Sequence, residues 1–199
     1  MKRIHDTAFR GLIKALLNIK QQYFTYASCI QNEQSEDDIE QRERVFAYEL
    51  YHQWSKINRS KKLVLNGEIG KHLNNKYMYP DMVLHGGQDD FDHNEIVVEI
   101  KRASMVNDVN NGLKKDLEKL SLYLEDDETP DRKTHFRRYK FSVSIIYGVE
   151  MSNLKESIKN IAEDNTNNTN DKIVIIACPK EGVVQLLTIK EIIRVMNCQ

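Results

Sequence analysis

The spacing of the apolar residues changes period near residue 62 and again near residue 113, and that double switch limits the chain to folds that join helices to a sheet. Before the first switch, Phe9, Leu12, Ile13, Leu16, Leu17 and Phe24 recur at mostly helical spacing and predict an amphipathic helix over Asp6 to Ser28. The polar run Gln31 to Ser35 breaks it. Ser35 precedes Glu36, Asp37 and Asp38, which suits a helix start: a hydroxyl accepts from free amides, and carboxylates favour the positive helix end. This second helix is expected to reach about Asn58, with Ile39, Phe46, Leu50 and Ile57 inward and Trp54 alongside. Glu49 stands three residues beyond Phe46 and so falls inside the inward stripe.

Beyond the basic connector Asn58 to Lys62, short β-branched or apolar runs predict strands at Leu63–Leu65, Tyr79–His85 and Glu95–Lys101. Helical spacing returns with Leu113, Leu117, Leu120 and Leu124, and the acidic stretch Glu125 to Asp131, containing Pro130, ends that helix. Phe141–Tyr147 reads as a buried strand. Ser152 is the expected cap of a helix carrying Leu154, Ile158 and Ile161, followed by an Asn- and Thr-rich loop from Asp164 to Asp171. Ile173–Ala177 and Val183–Leu187 supply two more strands. Thr188 with Glu191 three residues later forms a capping box that opens a last helix through Ile189, Ile192, Ile193 and Met196.

This order predicts an α/β protein, a three-layer α/β/α sandwich around a central mixed sheet. With no internal repeat or linker, residues 1–199 are expected to form one domain: N-terminal helices over 1–60, a core over 61–148 and a completing helix-strand-strand-helix unit over 149–199. A chain that is 40% hydrophobic and 30% charged carries enough apolar residues for a core, which excludes a disordered or fibrous class. Lys plus Arg number 29 and Asp plus Glu 30, so no uniform basic charge advertises nucleic acid and any such case must rest on local patches. Cys29, Cys178 and Cys198 are too few and too scattered for a disulfide framework or zinc cluster. No apolar run approaches the ~20 residues of a membrane span, so a cytoplasmic protein with no membrane partner is expected.

Charges placed within the strands carry the chemistry. In Glu95-Ile96-Val97-Val98-Glu99-Ile100-Lys101, alternation sends Ile96, Val98 and Ile100 to one face and Glu99 and Lys101 to the other. In Pro80-Asp81-Met82-Val83-Leu84-His85, Asp81 shares a face with Val83 and His85, and Pro80 sits where a lost ladder donor matters least. If these strands are neighbours, Asp81 and Glu99 converge as oxygen ligands on one hard cation, with Lys101 beside it. Phosphodiester hydrolysis needs such a set: the scissile phosphate repels hydroxide and gains negative charge in the transition state, and Mg²⁺ (or Mn²⁺ in its place) offsets both.

Through Pro80-Asp81 and Glu99-Ile100-Lys101 the chain resembles the PD-(D/E)xK nuclease superfamily, the restriction-endonuclease-like fold. His93 and Asn94 ahead of the Glu99 strand, and Asp116-Leu117-Glu118-Lys119-Leu120 on the helix after it, look like small uncharacterised members of that superfamily. The likeness spans roughly Glu49 to Gly148. It implies a metal-dependent nuclease acting on nucleic acid, DNA before RNA. Asp81 and Glu99 would be metal ligands, the Ile100 carbonyl a backbone ligand and Lys101 the catalytic lysine. A carboxylate from a preceding helix is also implied, for which Glu49 is the candidate and Glu68 the competitor.

Each of these residues also has a plainer role. Glu99 and Lys101 can form a solvated surface pair worth less than ~1 kcal/mol, although Val97 on the same face argues for a covered strand. Asp81 can be a turn acid after Pro80, Glu49 can pair with Arg42 or Lys56, and Glu68 can be a structural or substrate-side acid. His52, His72, His85 and His93 lack metal-ligand spacing, His85 lying nearest the acids. Lys56, Arg59, Lys61 and Lys62 form one basic cluster. Arg132, Lys133, Arg137, Arg138 and Lys140 form another with His135, Phe136 and Tyr139 interleaved, and each cluster suits a phosphate backbone or an ordinary solvated connector. The leucine stripe from Leu113 to Leu124 suits a core better than a dimer seam, though a homodimer stays open. Two other functions fit the same residues: a non-catalytic module that binds nucleic acid or a protein partner, and a nuclease subunit that needs a targeting partner.

Overall fold

The computed structural model of this chain describes residues 7–24, 36–58, 60, 62–73, 76–87, 93–106, 112–124, 139–164 and 172–191. Four helices appear among them: α1 (Thr7–Leu17), α2 (Glu36–Ile57), α3 (Leu113–Leu122) and α4 (Met151–Asp164). The strands are β1 (Leu63–Gly67), β2 (Lys71–Leu73), β3 (Lys76–Met78), β4 (Met82–Gly86), β5 (Ile96–Arg102), β6 (Phe141–Tyr147), β7 (Ile173–Cys178) and β8 (Gln185–Thr188).

A six-stranded mixed open sheet runs in the order β1-β4-β5-β6-β7-β8. Strands β5, β6 and β7 are parallel, linked through α3 and α4, while β1, β4 and β8 run antiparallel to their neighbours. Alternation along the strands divides the apolar residues between two cores. Met82, Leu84, Ile96, Val98 and Ile100 pack under Phe9, Leu12 and Leu16 of α1 and Phe46, Leu50 and Trp54 of α2. Val83, Val97, Ile146 and Ile175 pack under Leu113, Leu117 and Leu120 of α3 and Leu154 and Ile158 of α4. Helices therefore cover both faces, and the leucine stripe of α3 is core. In the first layer Phe46 stacks on Tyr147 with centroids 4.3 Å apart and planes 5° from parallel.

Several local expectations are corrected. The first helix stops at Leu17 rather than Ser28: Lys20 is extended (φ −81, ψ 152) and a short 3-10 turn follows over Gln21–Tyr23. Leu17, placed in the stripe by periodicity, is 40% exposed. The strand expected from Tyr79 starts at Met82, because Pro80 and Asp81 form the approach to it. The β2–β3 hairpin between β1 and β4 was not foreseen. Helix α4 begins one residue before Ser152, and the Met151 amide donates to the Gln185 side chain at 2.7 Å, so Ser152 is not the cap. The capping box is formed: the Thr188 amide donates to Glu191 at 2.9 Å and the Glu191 amide to the Thr188 hydroxyl at 3.1 Å. Ser35, Cys29, Cys198, the 125–138 segment, the loop 165–171 and Ile192 onward lie outside the described residues.

Candidate functional site

The pairing of β4 with β5 makes the site. Their register matches Met82 with Val98 and Val83 with Val97, and Asp81 is the residue that enters β4 beside this end of β5. The Ile100 amide donates to Asp81 Oδ2 at 2.6 Å, which fixes this carboxylate at the entrance to β4. Glu99 and Lys101 project toward α3, as alternation requires, because Val97 of the same parity belongs to the α3 core. They are not a solvated surface pair: Glu99 is 6% and Lys101 9% exposed.

Their partners come from α3. Lys101 Nζ lies 3.2 Å from Asp116 Oδ2 and Lys119 Nζ lies 2.6 Å from Glu99 Oε1, so two ion pairs cross from strand to helix. Lys119 also donates to the Tyr79 carbonyl at 2.6 Å. From α2, Glu43 accepts the Arg102 amide at 2.9 Å, closing the end of β5. The hydroxyls of Tyr123 and Ser144 are buried without a hydrogen-bond partner among the described residues. Ser144 pairs in register with Glu99 across β5 and β6, which places its hydroxyl in the same sheltered layer.

Burial sets the electrostatics. It pushes the Asp81 carboxyl up to about 6, against the Ile100 amide and the Lys119 charge and with help from Glu43 and Asp116. Glu99 is driven well above the usual carboxylate range, first by burial and then by the charge of Asp81. Asp116 is raised by burial despite Lys101. For Lys101 burial alone works downward, but the charges of Asp116, Glu43 and Asp81 together outweigh it, so the ammonium is held charged at neutral pH.

Asp81 also opens onto a cleft of about 590 Å³ between α2 and the β1–β4–β5 side, lined in part by Glu43, Arg44, Tyr48, Tyr51, Glu68 and Ile100. Glu68, at the positive-φ turn after β1 (φ 49), lies across this cleft with its carboxylate 3.8 Å from Arg44. Glu49 is not among the residues that line this cleft. It receives Gln53 at 2.6 Å and lies 3.3 Å from His52, and the α2 acid at the site is Glu43 instead. Glu43 stands three residues before Phe46 as Glu49 stands three after it, so periodicity alone could not choose between them. Asp116 and Lys119 flank the leucine stripe in sequence, but only the packing of α3 on β5 assigns them partners. His85 is occupied with Asn66 at 2.8 Å.

The basic residues gather elsewhere. A second cleft, about 660 Å³, is lined by Arg10, Lys14 and Lys140 together with Asn58 and Ser60 of the first connector. Lys62, exposed, adjoins this end of β1, roughly 15 Å along the strand from the Gly67 end at ~3.3 Å per residue. Lys56 is exposed in the last turn of α2. Lys140 pairs with Glu95, and Tyr139, expected among surface bases, is fully buried edge-on against Tyr123. Arg59, Lys61, Arg132, Lys133, Arg137 and Arg138 lie outside the described residues.

Asp81 and Glu99 fit a hard divalent cation by donor type, and two buried carboxylates whose charges repel are groups such an ion would relieve. Mg²⁺ keeps several waters and commonly uses one or two carboxylates plus substrate phosphate. Among the described residues no three His, Cys, Asp or Glu side chains converge as a ready ligand set. No family model matches the chain, and comparisons with curated proteins and with solved structures find no match either. No helix among the described residues is long and apolar enough to cross a membrane.

Proposed function

We propose that this chain is a metal-dependent nuclease of the PD-(D/E)xK type, on a restriction-endonuclease-like fold, hydrolysing phosphodiester bonds of nucleic acid with DNA as the first substrate. The observation that carries the reading is the Ile100 amide bond that holds Asp81 between Glu99 and Lys101, both buried at this end of β5. Asp81 and Glu99, with the Ile100 carbonyl, would hold Mg²⁺ or Mn²⁺. When bound, the ion supplies Lewis acidity, polarising the phosphate oxygens and making water a better nucleophile.

The chain's own residues do the rest. Asp81 is pre-positioned by the Ile100 amide, so little ordering remains on binding. Lys101, held charged by Asp116, Glu43 and Asp81, acts as a fixed positive charge that orients attacking water and stabilises developing negative charge, not as a proton acceptor. Glu43 steadies the end of β5 through the Arg102 amide.

The test is cleavage of linear, circular and single-stranded DNA with Mg²⁺ or Mn²⁺. Asp81→Ala and Lys101→Ala should each lower the rate by about 100-fold or more while circular dichroism stays unchanged. Equal activity in folded mutants refutes the assignment. The second reading, a non-catalytic binding module on the same fold, draws support from the ion pairs that already engage Glu99 and Lys101. Nucleic-acid binding without cleavage under every metal favours it.

A further inference from the structure

We propose that Lys119 is the resident counter-ion of the Asp81 and Glu99 acid pair: its ammonium holds the place of a divalent cation and swings out when one binds. The inference rests on the functional reading above and adds a positioning residue to it.

Three observations carry it. Lys119 Nζ touches Glu99 Oε1 at 2.6 Å and donates to the Tyr79 carbonyl at 2.6 Å, so one ammonium spans the β5 acid and the turn that delivers Asp81. Its charge also acts on Asp81 directly. Second, the two lysines differ in freedom. The Lys101 side chain is buried and engaged with Asp116, whereas that of Lys119 is 26% exposed and reaches the acids from the solvent side. Leu117 and Leu120 hold α3 in the core, so the helix stays in place while the Lys119 side chain moves. Third, acids crowd this pocket: the charges of Glu43 and Asp116 act on Asp81, and those of Asp81 and Asp116 act on Glu99. A divalent ion brings two charges where one ammonium stood, and a flexible, strongly hydrated ammonium is readily released to water.

The experiment is Mn²⁺ binding by calorimetry to the wild-type full chain and to Lys119→Met, with Lys119→Arg as the charge-conserving control. Lys119→Met should bind at least tenfold tighter, and Lys119→Arg no tighter than wild type. Unchanged or weaker binding by a folded Lys119→Met overturns the inference alone, whereas absence of Mn²⁺ binding in both proteins overturns the functional reading and this inference with it. Because that variant leaves Glu99 buried without its partner and can fail to fold, a second measurement uses wild type only. Acetylation of lysines, read by mass spectrometry, should rise several-fold at Lys119 on saturation with Mn²⁺ while Lys101 changes little. Equal labelling of Lys119 with and without bound Mn²⁺ overturns the inference; a merely structural ion pair would give that result.

Discussion

Asp81 concentrates the chemistry of the site in one side chain. Its carboxyl is pushed from 3.8 up to about 6 by burial, so folding takes up a proton in that interval. Stability owed to this group is present below about 4, is lost as pH rises through about 6, and at pH 7.5 the buried charge opposes folding by about 3 kcal/mol. Asp81→Asn should therefore raise the melting temperature of the metal-free protein by several degrees at pH 7.5 and by almost nothing at pH 4, as followed by circular dichroism. Metal must displace the protons that burial holds on both Asp81 and Glu99, so Mn²⁺ affinity should fall by more than about tenfold per pH unit below 6. A flat pH profile would contradict the burial assigned to this carboxyl. Asp81, Glu99 and Lys101 were legible in the sequence because a pleated strand assigns faces by counting alone. Their partners were not: the Asp116–Lys101 and Lys119–Glu99 pairs depend on how α3 lies across β5, which no local rule encodes.

At the level of elements, α2 and α3 grip the end of β5 from opposite sides. Periodicity found both helices and most buried residues of each, but it could not say which end of α2 meets the strand ends. Glu49, the expected acid, is bound to Gln53 and His52, while Glu43 is at the site. Glu43→Gln should weaken Mn²⁺ binding and slow cleavage by about tenfold, a change of about 1.4 kcal/mol, through loss of one charge near Asp81 and Lys101. Glu49→Gln should leave both within twofold. Leu117→Ala, which undercuts α3 without touching a charge, should cost about 2–5 kcal/mol in urea unfolding. The β2–β3 hairpin escaped notice because three-residue strands carry too little alternation to register, and Tyr139 was misplaced because basic neighbours hid a residue that packs on Tyr123.

Across the whole molecule, two clefts lie at opposite ends of β1. One is acidic and opens on Asp81; the other gathers Arg10, Lys14 and Lys140. Residues far apart in sequence meet in the second cleft, so the charge balance of the chain, 29 basic against 30 acidic residues, conceals two segregated regions. A nucleic acid held by phosphates at one and cut at the other would span the sheet edge. Affinity for a DNA duplex should then fall steeply with salt, and Arg10→Glu with Lys14→Glu should weaken it by at least tenfold without altering Mn²⁺ affinity. The central claim is narrower: Asp81 and Glu99 jointly hold one divalent cation. Anomalous diffraction from crystals soaked in Mn²⁺ tests it most directly. A single strong peak is expected within ligand distance of both carboxylates, with Lys119 turned away; ordered Mn²⁺ elsewhere, with none at this pair, would refute joint binding.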